Sequence, residues 1–208
     1  MAKCIIFCAG EFHGLIEPIC AEDYMIAADG GLRHTEHLSI TPHLILGDFD
    51  SLDHTPENAV VFPVEKDDTD AMLAVKAGLE KGYRQFVFYG ALEGPRLDHT
   101  MANLQTLSYL NKHGATGFLV GKTQIATAIL SSALTFPATA KGIISLFATD
   151  GDAQGVSITG LKYPLQDATL TPNFPLGVSN HFTDAKAEIS VKNGTLLILY
   201  SRENGLPY

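Results

Sequence analysis

The stretch Leu46-Gly47-Asp48-Phe49-Asp50-Ser51 decides the fold, because it is an acidic loop that follows the apolar residues 44–46. A short apolar run that ends in such a turn is typical of a buried strand and the loop after it. Two carboxylates two residues apart point the same way if the backbone between them stays extended. Asp48 and Asp50 would then offer the oxygen ligands that Mg²⁺ takes together with waters and phosphate oxygens.

Further acidic turns follow apolar runs elsewhere in the first half of the chain. They are Ala28-Asp29-Gly30-Gly31, Lys66-Asp67-Asp68-Thr69-Asp70 and Arg96-Leu97-Asp98-His99. Asp is common in turns, so any one of them is compatible with a plain turn or a helix cap. In an open parallel sheet, however, ligands bind outside the carboxyl ends of the strands, and this topology would bring the acidic turns to one edge. Crowded carboxylates repel one another unless a cation offsets them, which favours Mg²⁺ at that edge.

Length, charge and cysteine content limit the classes of protein. The chain has 208 residues with a formal net charge of -9 and no basic run, which argues against a nucleic-acid binder and against a binder of anionic membranes. No apolar stretch approaches the roughly 20 residues of a membrane span. The three cysteines (Cys4, Cys8 and Cys20) are odd in number and form no Cys-x-x-Cys pair. A reducing cytoplasm is therefore the expected location.

The first half alternates short apolar runs with helical patterns. Strands are predicted at residues 3–9, 24–28, 44–47, 59–63, 85–89 and 116–120, and helices at 15–21, 32–38, from Asp67 or Thr69 to Gly82, and 98–112. The third helix is predicted to bury Met72, Val75 and Leu79, and the fourth Met101, Leu104 and Leu107. Alternating strands and helices indicate a mostly parallel sheet covered on both faces.

The second half contains short runs of β-type residues and little helical periodicity. They lie at residues 124–129, 133–136, 142–147, 155–158, 187–191 and 195–200, and Asn193-Gly194 between the last two is a hairpin signal. The predicted fold is α/β, with a mostly parallel α/β sandwich domain at 1–121 followed by an antiparallel β-sandwich domain at 122–208. From composition alone, residues 177–182 are a loop between strands.

Three positions are candidates for phosphate binding. Asp29-Gly30-Gly31 offers a backbone that can approach a phosphate closely, because neither glycine carries a side chain, but it is equally typical of a strand-to-helix turn. Arg96 is a natural partner for phosphate oxygens, with an ion pair to Asp98 as the alternative. His99 either donates to a phosphate or lies in the first turn of its helix. The sequence has no P-loop and no dinucleotide fingerprint.

Taken in order, several segments carry a family resemblance. They are Ala28-Asp29-Gly30-Gly31, Gly47-Asp48-Phe49-Asp50-Ser51, Lys66-Asp67-Asp68-Thr69-Asp70, and Gly90-Ala91-Leu92-Glu93-Gly94-Pro95-Arg96-Leu97-Asp98-His99 with Asn103 following. Two later segments are Gly160-Leu161-Lys162-Tyr163-Pro164-Leu165 and Gly177-Val178-Ser179-Asn180-His181-Phe182. This series resembles the ordered motifs of the thiamine pyrophosphokinase family, and the later pair resembles its bacterial members. The similarity covers nearly the whole chain.

The resemblance implies an α/β domain followed by a β-sandwich, in a homodimer whose active site lies in the cleft between subunits. It implies transfer of a diphosphoryl group from ATP to the hydroxyethyl oxygen of thiamine, with release of AMP. The implied Mg²⁺ ligands are Asp48, Asp50 and Asp70, and the implied catalytic set adds Arg96 and Asp98. On the ATP side the resemblance implies Asp29, Gly30, Gly31, Lys66, Asp67, Thr69 and Arg96, and on the thiamine side Asp98, His99, Ser179 and Asn180.

Two departures and two alternatives accompany the resemblance. Pro95 stands where the family usually has glycine, which removes a backbone donor and restricts φ. The chain has no tryptophan, so Phe182 is the candidate for any family contact made by that residue. The alternatives are a Mg²⁺-dependent nucleotide phosphohydrolase and a non-catalytic module that binds thiamine or a nucleotide. The general base stays open between Asp70 and Asp98.

Overall fold

The computed structural model describes residues 2–49, 59–61 and 67–207, so Asp50 and Lys66 lie outside the described residues. The strands are β1 (Cys4–Phe7), β2 (Tyr24–Ala28), β3 (Leu44–Gly47), β4 (Val60–Val61), β5 (Gln85–Tyr89), β6 (Thr116–Val120), β7 (Gln124–Leu130), β8 (Ala133–Phe136), β9 (Ile143–Ala148), β10 (Ala153–Thr159), β11 (Leu165–Leu170), β12 (Gly177–His181), β13 (Ala187–Ser190) and β14 (Thr195–Ser201). The helices are α1 (Leu32–His37), α2 (Asp70–Glu80) and α3 (Leu97–Lys112).

The strands form one large sheet and one small one. The large sheet has the order β12-β9-β14-β7-β6-β5-β1-β2-β3-β4 and the small sheet the order β11-β10-β13-β8. Strands β1 to β6 pair in parallel, whereas β7 joins β6 antiparallel and all later pairs are antiparallel. A mostly parallel first half and an antiparallel second half are thus confirmed. The large sheet nevertheless continues across residue 121, where a short turn reverses the strand direction.

Apolar side chains cover both faces of the large sheet. On one face α2 and α3 contribute Ala74, Val75, Leu107 and Leu110 to a buried cluster that includes side chains of β1, β5 and β6. On the other face the small sheet packs over the antiparallel strands, and residues 9–23 pack over the parallel ones. A sheet buried on both faces needs near-continuous apolar strands, and all four residues of β1 are buried.

The helix predicted at residues 15–21 is wrong. This part of the chain has neither helix nor strand, in keeping with Pro18, which cannot donate a backbone hydrogen bond. Its apolar side chains, including Leu15, Ile16 and Ile19, pack against the core instead. The amide of Ile16 donates to the hydroxyl oxygen of Tyr89 at 3.2 Å, so a tertiary contact replaces the expected helical bonds.

Two predicted helix faces differ from those in the structure. In α2, Met72 and Leu79 are only partly buried, and the fully buried face is formed mainly by small residues such as Ala74 and Gly78. A Cβ atom at Gly78 would come within 2.6 Å of the Phe86 ring, so the helix lies close to the sheet. In α3, Met101 is 53% exposed instead of buried.

The connection at Asn193-Gly194 is not a hairpin. Strand β13 pairs with β8 and β10 in the small sheet, whereas β14 pairs with β7 and β9 in the large sheet. The chain does turn at this point, since Gly194 has φ +100°. The turn, however, carries the chain from the small sheet to the large one. Local turn chemistry can specify a reversal, whereas the pairing partner depends on which apolar face each strand buries.

Residues 177–182 are not a loop. Residues 177–181 form β12, which pairs with β9 at the edge of the large sheet, with an irregularity between Gly177 and Asn180. An edge strand exposes much of its surface, so it lacks the apolar alternation that the sequence interpretation required. None of the helices in the described ranges is both long enough and apolar enough to cross a membrane.

Candidate active site

A cleft of about 480 Å³ opens at the carboxyl ends of the parallel strands. Its lining comes from the segments after β1, β2, β3 and β5, from the start of α2 and from the first two turns of α3. This is the edge at which parallel α/β sheets bind ligands. Of the predicted site residues, the cleft brings together Asp29, Asp48, Thr69, Asp70, Arg96 and His99.

Asp29 and Asp48 follow neighbouring parallel strands, so both carboxylates lie at one end of the cleft. Strand β2 pairs with β3 in register from Ile26 and Leu44 onward. Gly47 permits the close approach of the two strand ends, because a Cβ atom there would lie 3.0 Å from Cα of Asp29. Asp29 itself has φ +48°, a conformation that is sparsely populated for residues other than glycine and occurs often at functional sites.

The backbone after Asp48 is not extended, contrary to the assumption made from sequence. Phe49 has φ +58° and its side chain is buried, with 4% exposed. The chain therefore turns immediately after Asp48, and the two-residue alternation of a strand does not apply across Phe49. The Asp50 side chain lies outside the described residues, so the pairing of these carboxylates stays a prediction.

The segment before α2 places two more carboxylates in the cleft. Thr69 caps the helix, its side-chain oxygen accepting from the Met72 amide at 3.2 Å, and Asp70 occupies the first turn. Asp68 also lines the cleft and accepts two hydrogen bonds from Lys76 Nζ, at 2.8 and 2.7 Å. Asp67 is exposed and is not part of the lining.

Gly30 and Gly31 are buried in a 3₁₀ turn beneath the cleft and do not line it. A Cβ atom at Gly31 would lie 1.9 Å from the carbonyl oxygen of Phe7, so only glycine fits against the end of β1. The structure therefore gives Gly31 a packing role, which brings α1 close to the sheet.

Residues 90–96, here named the cleft loop, connect β5 to α3. Gly90, with φ +68°, accepts a hydrogen bond through its carbonyl from the Gly10 amide at 2.9 Å. The next carbonyl, that of Ala91, accepts from Nδ2 of Asn103 at 2.7 Å. Further along the loop, Oε2 of Glu93 accepts from the Lys122 amide at 2.9 Å and lies 3.0 Å from Nε2 of His13. The loop is thus held by three other parts of the chain.

Arg96 lies at the end of the cleft loop and pairs with Asp98. Its NH2 nitrogen (Nη2) donates to Asp98 Oδ2 at 2.7 Å, and both side chains are about two-thirds exposed. The hydrogen bond from Arg96 holds the pKa of the Asp98 carboxyl below its usual value. Asp98 is absent from the cleft lining, whereas His99 belongs to it. The ion pair predicted as the alternative for Arg96 is therefore present, on a side chain that also lines the cleft.

Cys8 lies in the cleft wall. Burial, followed by the charge of the nearby Asp70 carboxylate, raises the pKa of the Cys8 thiol to about 12. The thiolate is the nucleophilic form of cysteine, so Cys8 is a neutral, unreactive group at ordinary pH.

Ser179 and Asn180 lie far from this cleft within one chain. They belong to β12, which is eight strand spacings from β3 in the large sheet, or about 38 Å along the sheet at about 4.8 Å a spacing. Ser179 is exposed, with φ +59°, and its amide donates to Oγ of Ser145 at 3.0 Å. Within a single chain the structure does not bring the predicted thiamine-side residues to the carboxylates.

Asn180 is buried and uses its side chain to hold Tyr163. Nδ2 donates to the Tyr163 carbonyl at 2.7 Å, and Oδ1 accepts from the Tyr163 amide at 3.0 Å. The Tyr163 side chain is 55% exposed. Phe182, the expected substitute for tryptophan, instead packs edge-on against Phe136 with ring centroids 5.0 Å apart. Tyr163 is therefore the aromatic ring that Asn180 presents at the surface.

The cleft has the donor chemistry that Mg²⁺ requires. Asp29, Asp48 and Asp70 supply carboxylate oxygens, the ligand type that Mg²⁺ prefers. Among residues 2–49, 59–61 and 67–207, no three acidic, histidine or cysteine side chains converge as a complete metal site. An ion here would thus complete its shell with water and substrate oxygens, as Mg²⁺ usually does.

Sequence reasoning missed several residues of the site. Glu93 lines the cleft and contacts two other segments, at His13 and at Lys122. Lys76 neutralises Asp68 from eight residues away, a spacing that carries no local signal. Asn103 follows the segment 90–99 in the series that carries the family resemblance. Its contact with Ala91, however, depends on how α3 lies against the cleft loop.

Two family models match the chain. Residues 18–119 match the thiamin pyrophosphokinase catalytic domain, and residues 134–196 match the thiamin pyrophosphokinase vitamin B1 binding domain. The two ranges together take in well over half of the chain. Thiamine pyrophosphokinase of Bacillus subtilis is 27% identical over 187 residues, which cover 86% of this chain and 87% of that protein.

Solved structures show the same fold at lower sequence identity. The crystal structure of thiamine pyrophosphokinase from B. subtilis has a TM-score of 0.84 and 24% identity, covering 96% of this chain and 98% of that one. A thiamin pyrophosphokinase family protein from Enterococcus faecalis has a TM-score of 0.80 and 23% identity, covering 97% and 99%. Thiamin pyrophosphokinase from Candida albicans has a TM-score of 0.74 at 12% identity, covering 96% and 88%.

Proposed function

This chain belongs to the thiamine pyrophosphokinase family, and from that premise we propose that it transfers a diphosphoryl group from ATP to thiamine. The observation that carries the proposal is the cleft, which combines Asp29, Asp48 and Asp70 with Arg96 at the carboxyl edge of the parallel sheet. Thiamine carries a permanent positive charge, which suits an acidic cleft. ATP is an anion and needs compensation from Arg96 and a metal ion.

In the reaction, the hydroxyl oxygen of thiamine bonds to the β-phosphorus of ATP, and the bond between that phosphorus and the α–β bridging oxygen breaks. AMP leaves with the electron pair, and the hydroxyl proton passes to a base. Phosphoryl transfer depends mainly on positioning and charge stabilisation. Arg96 lowers the pKa of Asp98 and so weakens that carboxyl as a proton acceptor. A metal ion on Asp70 would weaken Asp70 in the same way, so the base stays open between the two.

We propose Mg²⁺ as the cofactor, held by Asp48, Asp50 and Asp70. When bound, Mg²⁺ would neutralise the negative charge of the phosphates. In this proposal Arg96 binds the phosphates, and Asp98 orients its guanidinium through the contact at 2.7 Å. The nucleotide-side roles of Asp29, Gly30, Gly31, Lys66, Asp67 and Thr69 belong to the same proposal.

The thiamine side is proposed to come from a second copy of the chain. Ser179 lies about 38 Å along the sheet from β3, so one chain cannot bring β12 to its own carboxylates. A homodimer that places β12 of one subunit at the cleft of the other would complete the site. Exposed apolar side chains occur at both surfaces, Leu97 and Met101 beside the cleft and Tyr163, Phe174, Leu176 and Val178 around β12.

One assay tests the function against the alternatives. The purified protein is incubated with ATP, Mg²⁺ and thiamine, and AMP and thiamine diphosphate are measured together. Equimolar formation of both products supports the proposal. Nucleotide cleavage that does not depend on thiamine would indicate a phosphohydrolase, and binding without product would indicate a non-catalytic module. The cysteines are free thiols, and we propose the cytoplasm as the location, consistent with a reducing compartment.

A further inference from the structure

Asn103 is a buried polar side chain at the inner wall of the cleft. It lies on α3, is 9% exposed and belongs to the cleft lining. Its Nδ2 donates to the carbonyl oxygen of Ala91 at 2.7 Å. Burying an amide carries a desolvation cost that a hydrogen bond only offsets. An apolar residue would fill this position at lower cost if packing were its only role.

The hydrogen bond from Asn103 holds the start of the cleft loop, which is also packed closely against residues 8–10. The neighbouring carbonyl, that of Gly90, accepts from the Gly10 amide at 2.9 Å. A Cβ atom at Gly90 would come within 2.4 Å of the Cys8 carbonyl oxygen, and one at Gly10 within 2.4 Å of the Glu93 carbonyl oxygen. Two successive carbonyls at the start of the cleft loop are thus held from two different elements.

The support behind Asn103 is rigid. Helix α3 has sixteen residues, and its Leu107 and Leu110 are fully buried against the large sheet. Groups held on a helix are positioned more precisely than groups on a loop. Because α3 is fixed, the Asn103 side chain fixes the position of Ala91, which lies five residues before Arg96.

We propose that Asn103 is a positioning residue for diphosphoryl transfer, holding the cleft loop so that Arg96 meets the phosphates of ATP. This inference rests on the proposed function, because it assigns the phosphates to that loop. Asn103 acts through Ala91 and needs no contact with the substrate. A small displacement of groups that orient a reacting phosphate is enough to lower the rate by about a hundredfold.

The same helix offers a matched control. Asn111 also donates through Nδ2 to a nearby carbonyl, that of Ala115, at 3.1 Å, but it lies at the other end of α3 and outside the cleft lining. Replacement of either asparagine by alanine removes one side-chain bond to a backbone carbonyl. Both variants lose one hydrogen bond from α3 to a backbone carbonyl. A difference between them in kinetics or exchange is therefore due to the cleft loop, which only Asn103 holds.

The experiment compares Asn103→Ala and Asn111→Ala by kinetics and by hydrogen exchange of the Gly10 amide, which donates to the cleft loop. In Asn103→Ala we expect the KM for ATP to rise and kcat to fall, by about tenfold or more together, with the KM for thiamine unchanged. The Gly10 amide should exchange faster in that variant. Asn111→Ala should match the wild type in all of these quantities.

Unchanged ATP kinetics and unchanged Gly10 exchange in folded Asn103→Ala would overturn the proposal, as would equal losses in Asn111→Ala. If Asn103→Ala does not fold, Asn103→Asp, which keeps the shape but lacks the donor, replaces it. Hydrogen exchange in the wild type, measured with and without α,β-methylene-ATP, adds a test that needs no mutation. The Gly10 amide should already be protected from exchange before the nucleotide is added. Rapid exchange of this amide in the nucleotide-free wild type would overturn the proposal. A wild type that forms no thiamine diphosphate would refute the function, while the exchange data would still decide whether Asn103 holds the loop.

Discussion

The side-chain amide of Asn180 holds both backbone polar groups of Tyr163, donating to its carbonyl at 2.7 Å and accepting from its amide at 3.0 Å. A buried asparagine thereby fixes an exposed aromatic residue on the connection between β10 and β11. This relationship changes the role expected for Asn180. Its amide has its donor and acceptor engaged by the chain, so the group that it presents outward is Tyr163.

The first prediction concerns this pair. Asn180→Ala should raise the KM for thiamine by about tenfold, which corresponds to about 1.4 kcal/mol, because Tyr163 loses the two bonds that place it. The KM for ATP should change little. Steady-state kinetics with each substrate varied in turn measure both constants.

Asn204 provides the control for Asn180. It makes the same pair of contacts with Lys141, accepting from the amide at 2.8 Å and donating to the carbonyl at 2.9 Å, but at the C-terminal end of the chain. Asn204→Ala should leave the KM for thiamine unchanged. An unaltered thiamine KM in Asn180→Ala, or equal shifts for both substrates, would contradict a role for this pair in thiamine binding.

The second prediction tests the acidic wall. Asp48→Asn and Asp50→Asn should each lower turnover by at least about a hundredfold, because each removes a charge that we propose to stabilise the reacting phosphates and the metal. The circular dichroism spectrum should stay that of the wild type. Asp167→Asn is the control, since it removes the charge of an aspartate on the small sheet, away from the cleft, where Asp167 pairs with Lys192 at 2.8 Å. Near-normal turnover in both Asp48→Asn and Asp50→Asn would exclude the proposed metal role.

The third prediction tests whether two chains share one site. Asp48→Asn alters the cleft and Asn180→Ala alters the β12 side, so a mixed dimer contains one site with both changes and one with neither. After unfolding and refolding as an equal mixture, activity measured at a thiamine concentration well below KM, where both parent variants are weak, should recover to about a quarter of the wild-type value, as random pairing in a two-fold dimer requires. Light scattering should show the dimer. Absence of recovery from a mixture that does form mixed dimers would place both residues in the site of the same chain.

The fourth prediction concerns thiol reactivity. Burial and the Asp70 carboxylate raise the pKa of Cys8 to about 12, so at pH 8 only about one molecule in ten thousand carries the thiolate that reacts. Burial also raises the pKa of Cys4, whereas Cys20 is exposed. Iodoacetamide at pH 8 should therefore label Cys20 first.

Mass spectrometry of the digested protein identifies the labelled cysteine, and the unfolded chain, in which all three thiols are accessible, is the control. Because a raised thiol pKa suppresses the reactive form below that pKa, labelling of Cys8 should increase as the pH rises. Rapid labelling of Cys8 at pH 8 in the folded protein would contradict the burial of Cys8 in the cleft wall.

Much of the first half was predictable because its signals are local. Apolar runs of four or five residues define β1, β2 and β5, and Thr69 followed by acidic and apolar residues marks the start of α2. Parallel strands then bring their carboxyl ends to one edge without further information. The presence of Asp29, Asp48 and Asp70 around one cleft therefore followed from strand order.

The sequence by itself determined the alternation of strands and helices, the change to antiparallel strands near residue 121 and the acidic edge. Only the tertiary structure decided that Asn193-Gly194 crosses between sheets, that residues 177–181 form an edge strand, and that Asn180 holds Tyr163. Each of these depends on a partner distant in the chain, and hydrogen bonds between distant residues leave no periodic pattern near either one. Local propensity selects the elements, whereas pairing and side-chain contacts depend on how the buried faces meet.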